Sequence, residues 1–201
     1  MKKCLVLLMS ILLCAGSVFA SDAPESADIE PPAQAETNAS ADNAVRNYSQ
    51  DIAGVVRDFL IDDDWKFTFD DERGVFSFGL ALHSKMKHVD YSVIVRDTSY
   101  SVYAISPLNA DIDDADMMSN ITEFICRANY GLRNGNFEVD MRDGEIRYKT
   151  YVNCDGLLPS RDIVEASIVI PGLTFKRYAP GLLDVIFKGT SAADAIKQCE
   201  D

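Results

Sequence analysis

Between Trp65 and Ile105 the apolar residues fall on every second position through four consecutive segments, and that alternation commits the stretch to half-buried β-strands. Trp65, Phe67 and Phe69 make the first, and Phe76, Phe78, Leu80 and Leu82 the second, joined by the polar run Asp70-Asp71-Glu72-Arg73-Gly74. A glycine-containing turn between two such runs predicts a hairpin. Val89, Tyr91, Val93 and Val95 form a third strand. After Asp97-Thr98 a fourth carries Tyr100, Val102 and Ala104 on one face and Tyr103 and Ile105 on the other, and Pro107 closes the meander. Later, Phe137, Val139 and Met141 are joined through Asp143-Gly144 to Ile146, Tyr148, Thr150 and Val152. Asp-Gly tolerates the positive φ of a tight turn, so this is a second hairpin.

Elsewhere the spacing changes to three and four. Val45, Tyr48, Ile52, Val55, Val56, Phe59 and Leu60 predict an amphipathic helix from about Asn43 to Ile61, ended by Asp62-Asp63-Asp64. Met117, Met118, Ile121, Phe124, Ile125, Ala128 and Leu132 define a second, stopped by Asn134-Gly135. Ser160 is placed to cap a third through Ile163, Val164, Ala166, Ile168, Val169 and Ile170, where Pro171-Gly172 is expected to kink or break it. Leu182, Leu183, Val185 and Ile186 read as a further short piece ending at Gly189, and Ser191 to Asp194 as a capping box opening a final turn. The fold class that follows is α+β: an antiparallel sheet, made of a four-strand meander plus a hairpin, backed by helices.

The N-terminus sets the compartment. Lys2 and Lys3 precede an apolar run from Leu5 to Leu13, and Val18-Phe19-Ala20 forms a small-residue cleavage site, the order of a secretory signal peptide over residues 1–20. The run falls short of the roughly 20 residues a membrane span needs. Ile11-Leu12-Leu13 before Cys14 lacks the small residue of a lipoprotein site, so simple cleavage after Ala20 is expected. Residues 21–43 then carry Asp22, Glu25, Asp28, Glu30, Glu36 and Asp42 with no Lys, Arg or aromatic residue, the composition of a disordered acidic linker. Loss of the two signal lysines takes the net charge from −13 to −15. Such acidity disfavours nucleic acid and anionic lipid as partners, both of which bind through Lys and Arg.

Few residues suggest chemistry. Cleavage would leave Cys126, Cys154 and Cys199, which in an oxidising compartment fit one disulfide with a spare or three quiet thiols. Asp111, Asp113, Asp114 and Asp116 superficially suggest a calcium loop, but Ala115, Asp116 and Thr122 stand at its fifth, sixth and twelfth places, and helix capping is the expected role. His83 and His88 lie with Lys85 and Lys87 in the loop between the second and third strands, where no third metal ligand is assignable. No HExxH, P-loop or nucleophile-elbow pattern occurs. The meander's aromatic residues belong mostly to a sheet core, and Tyr91, Tyr100 and Tyr103 are candidates to line an opposite, uncovered face.

The chain also resembles a known family. Phe59-Leu60 with Trp65, Ala128-Asn129-Tyr130-Gly131-Leu132, Gly135-Asn136-Phe137-Glu138-Val139, Asp143 to Tyr148 and Arg177-Tyr178-Ala179-Pro180-Gly181-Leu182 are similar to the YbjN family, described as sensory transduction regulators. The resemblance covers about Asn43 to Gly189 and makes residues 44–201 a YbjN-like domain. It implies a type III secretion chaperone-like fold, pairing into dimers and a binding role, and it supplies no catalytic residue. A signal peptide sets this chain apart from a cytoplasmic regulator. Cys126 and Cys154, in the matched helix and hairpin, are the candidate disulfide. The wide apolar surface of the second helix, Met117, Met118, Ile121, Phe124 and Ile125, is the candidate dimer interface.

The expected function is therefore an exported, non-enzymatic binding module in the periplasm or beyond, holding a protein partner and using no cofactor or metal. The alternative is an envelope enzyme whose site carries no recognisable motif.

Overall fold

The computed structural model describes residues 47–200, all within the unit Asp42–Asp201. The signal peptide, the acidic linker and the first residues of the expected opening helix lie outside the described residues. Helix α1 spans Gln50–Asp62, with the Ser49 side chain accepting from the Ile52 amide as N-cap. Tyr48 sits just ahead of that cap, edge-on to Phe69, and donates its hydroxyl to Asp71. Gly74, at φ 67°, completes this corner, because a Cβ there would run into the Tyr48 ring.

Strands β1 (Phe67–Asp70), β2 (Val75–Ala81), β3 (His88–Val95) and β4 (Ser99–Ile105) follow in the expected order. Helix α2 (Ala115–Gly131) then carries the chain to β5 (Asn136–Val139) and β6 (Ile146–Asn153), and helices α3 (Arg161–Lys188) and α4 (Ala192–Glu200) complete the chain. Both hairpins belong to one six-stranded antiparallel sheet, ordered β1-β2-β3-β4-β6-β5. The α+β reading holds: a six-strand antiparallel sheet is backed by four helices. Rows such as Phe67, Phe78, Tyr91, Ala104, Tyr148 and Phe137 run across it in register and point to the helices. Phe78 stacks on Tyr91 at 4.9 Å, and Phe137 packs edge-on against Tyr148, Phe175 and Tyr178, binding sheet to helix layer.

Three local expectations are corrected. Asp143-Gly144 does not make a two-residue turn. Residues 140–145 form a wider loop in which Asp140 bonds Glu145 and Gly144 alone takes positive φ, and Met141 leaves the strand to stand exposed. Tyr91 and Tyr100 do not line an opposite face: each is buried, sharing parity with Val93 and Val102. The third helix neither stops at Pro171 nor restarts at Leu182, but runs unbroken from Arg161 to Lys188 with Pro171 and Pro180 inside it. The sheet explains how it passes the first proline. Pro171 has no N–H for the Ser167 carbonyl, and Thr150 of β6 donates its hydroxyl there instead, at 3.0 Å. Tyr91 of β3 donates to the next carbonyl, Ile168, at 2.8 Å.

Candidate docking surface

All four helices cover one face of the sheet, so the other is open. Alternate residues along each strand point there: Ser77 and Gly79 of β2, Asp90, Ser92 and Ile94 of β3, then Ser101, Tyr103 and Ile105 of β4. The middle of this face is small and polar, whereas its β6 side is charged. Tyr103 lies opposite Lys149, and its ring has the Arg147 guanidinium 4.6 Å and the Lys149 ammonium 5.9 Å from its centroid. Glu138 of β5 ties both cations down, at 2.8 Å to Arg147 and 3.6 Å to Lys149, and Glu145 adds a 3.4 Å contact to Arg147.

Partial burial of the Glu138 carboxyl works against its ionisation, yet the Arg147 hydrogen bond and the two cations outweigh burial and hold it below the usual carboxylate range. At the rim, the hydrogen bonds from Arg142 hold half-buried Asp140 at about 2. Tyr151, next along β6, is 61 % exposed. Chemically this is a flat surface of aromatic faces and guided cations over a hydroxyl-rich floor. At its β5–β6 margin lies an open depression of about 590 Å³ lined by Glu138, Val139, Asp140, Met141, Arg142 and Arg147, and the surface can hold a polar ligand by hydrogen bonds and cation–π contacts.

The residues singled out from the sequence are distributed differently from expectation. Met118, Ile121, Phe124 and Ile125 are buried within the chain, and Met117 is half-buried. Their stripe is wide because α2 is covered on two sides, by β5 and α3 on one and α4 on the other. The expected dimer interface is thus interior to one copy. Cys126 and Cys154 form no disulfide: Cys126 is exposed on α2, Cys154 is buried after β6, and Cys199 is a third free thiol. Asp114 is the N-cap of α2, accepting from Met117 at 2.9 Å, and Asp111 accepts from the Asp113 amide, so the acidic loop has the expected capping role. Among the described residues no group of three or more His, Cys, Asp or Glu is arranged to hold a metal ion. His83, at φ 49°, shapes the β2–β3 loop around buried Met86, and His88 opens β3.

One surface has no counterpart in the sequence reading. The outer side of the first half of α3 carries Ile163, Ala166, Ile170 and Leu173, with Ile163 at 47 % and Leu173 at 59 % exposure. Their three-and-four spacing is a helical signal in the sequence itself. It is masked because Val164, Ile168 and Phe175, which face the sheet, make the helix apolar all round.

The chain matches no family model, no curated protein and no solved structure. No helix of the described residues is long and apolar enough to cross a membrane.

Proposed function

We propose that the chain is an exported, non-enzymatic binding module of the YbjN type that holds a protein partner in the cell envelope on its open sheet face and works as a pair. The observation carrying this reading is the uncovered face itself, with Tyr103, Arg147, Lys149 and Tyr151 gathered on its β4–β6 side. Aromatic and arginine side chains of this kind dominate the energetics of protein interfaces. The signal-like N-terminus supplies the compartment, and the Arg147 and Lys149 cations on the face favour a partner that presents carboxylate or aromatic groups to them.

A photo-crosslinking side chain placed at Ser101, on the open face, tests the reading in living cells. It is expected to yield a discrete adduct with an envelope protein. Arg147→Glu should abolish the adduct, and the same probe at Lys197 of α4 should give none. Adducts that ignore Arg147→Glu, or that arise equally from both positions, would remove the sheet face from the function. N-terminal sequencing of the exported protein should begin near Ser21, and an intact Met1 would remove the compartment.

A further inference from the structure

The open stripe of α3 has the features of a self-complementary surface. Ile163, Ala166, Ile170 and Leu173 follow the a/d spacing of a helix that packs against another helix. The ridge they form is about 15 Å long at 1.5 Å per residue. On either side lies a groove. One, of about 330 Å³, runs between Ile163, Ala166 and Ile170 and the end of β6 at Thr150 to Val152. The other, of about 240 Å³, lies between Val169 and Leu173 and the end of β2 with Trp65.

Charge is divided along the same ridge. Asp162 stands at its N-terminal end and Lys176 at its C-terminal end, and among the described residues neither has an ion-pair partner. Their neighbours are occupied: Arg161 binds Asp62 and Asp63, and Arg177 donates to the Cys199 carbonyl.

We propose that this stripe is covered by the same stripe of a second copy, the two α3 helices crossing antiparallel about a two-fold axis near Ile168. The proposal rests on the reading that the module works as a pair, and it supplies the surface that α2 does not. Antiparallel register sets Ile163 against the partner's Leu173 and Ala166 against the partner's Ile170. It also brings Asp162 beside the partner's Lys176, and by symmetry the reverse contact forms as well. Each groove then receives the opposite end of the partner's ridge. A partner helix of another protein would need this charge order by coincidence, whereas a second copy has it by construction. Pairing through the helix layer leaves both open sheet faces outward, so the dimer presents two equivalent docking faces.

Sedimentation equilibrium of the exported, purified chain tests this. Wild type is expected as a dimer at micromolar concentration and Leu173→Glu as a folded monomer by circular dichroism. Asp162→Lys and Lys176→Asp each set like charges against each other twice and should weaken pairing roughly tenfold. Mixing these two variants is the decisive arm. A heterodimer of one with the other restores both attractive contacts, so the mixture should dimerise about as tightly as wild type. A wild type that stays monomeric overturns the pairing itself. A dimer indifferent to Leu173→Glu and to both charge reversals, or a mixture with no recovery, leaves pairing standing and overturns this surface.

Discussion

Helix α3 contains the dipeptide Pro-Gly twice, and the two steps serve different neighbours. At Pro171-Gly172 the helix meets the sheet. A Cβ on Gly172 would crowd Leu80 and stand 2.9 Å from the Tyr91 hydroxyl. At Pro180-Gly181 it meets other helices, and a Cβ on Gly181 would stand 2.5 Å from the Ala195 carbonyl oxygen, 2.7 Å from the Cys199 sulfur and 2.8 Å from Phe124. In the first half the buried side of the helix faces the sheet and the other is open; in the second, α4 and α2 pack on it as well, while Phe187 stands exposed. The same dipeptide is thus a device for close approach whose consequence depends on what approaches. Side-chain ends can yield, and backbone cannot.

The largest effect expected from this contrast is at the second step. Gly181→Ala should cost about 3 kcal/mol, since the Ala195 carbonyl belongs to a packed helix and must move as a unit, and a urea midpoint shift checks it. Gly172→Ala should cost less, about 1–2 kcal/mol, because the Leu80 side chain can turn aside. If the order of the two were reversed, the distinction between yielding and unyielding neighbours would fail. Thr150→Val keeps the shape but leaves the Ser167 carbonyl, already deprived of its helical partner by Pro171, without a donor. A loss of about 1 kcal/mol is expected by the same measurement.

Alkaline pH probes both halves together. Tyr100, bonded to Ser167 of the first half, and Tyr178 of the second are both pushed by burial to about 12. Each folded value lies above the unfolded 10.0, so this contribution to stability is complete below pH 10 and is lost as pH rises towards 12. For Tyr178 the hydrogen bond to Glu200 adds to burial, so Glu200→Gln should move the ultraviolet phenolate transition of the second half downward and leave that of Tyr100 in place. The smallest perturbation is a thiol reagent added to folded protein. Cys126 should react at once, while Cys154 and Cys199, whose thiols burial pushes up, should wait for unfolding. Two thiols titrating only after reduction would instead restore the disulfide.

The same contrast separates what the sequence makes legible from what it hides. Strand parity is local, and the alternation from Phe67 to Ile105 places the sheet core without reference to any tertiary contact. Tyr91 and Tyr100 belong to the core by their own parity with Val93 and Val102, a signal present in the sequence. The continuity of α3 was not legible, because proline is a helix breaker unless something else satisfies the freed carbonyls. The group that does so at Pro171, the Thr150 hydroxyl, lies 17 residues from the Ser167 carbonyl it serves, and Tyr91, which donates to the neighbouring Ile168 carbonyl, lies 77 residues away. The candidate interface on α2 failed for a related reason: an apolar surface wider than one stripe fits equally an interface and a helix covered from two sides. Disulfide pairing depends on a distance between elements that spacing along the chain does not encode.

The sheet has a further consequence at its margins. Its inner strands run to seven or eight residues, but β1 and β5, which end it on either side, are four residues each. A strand so short offers only a few unpaired backbone groups, too few to template a foreign strand, and Asp70 and Glu138 add charge to those margins. A sheet with one uncovered face would otherwise be exposed to fibre growth by edge addition. The stunted outer strands give it resistance to aggregation at high concentration, independent of how well the rest of the sheet is packed.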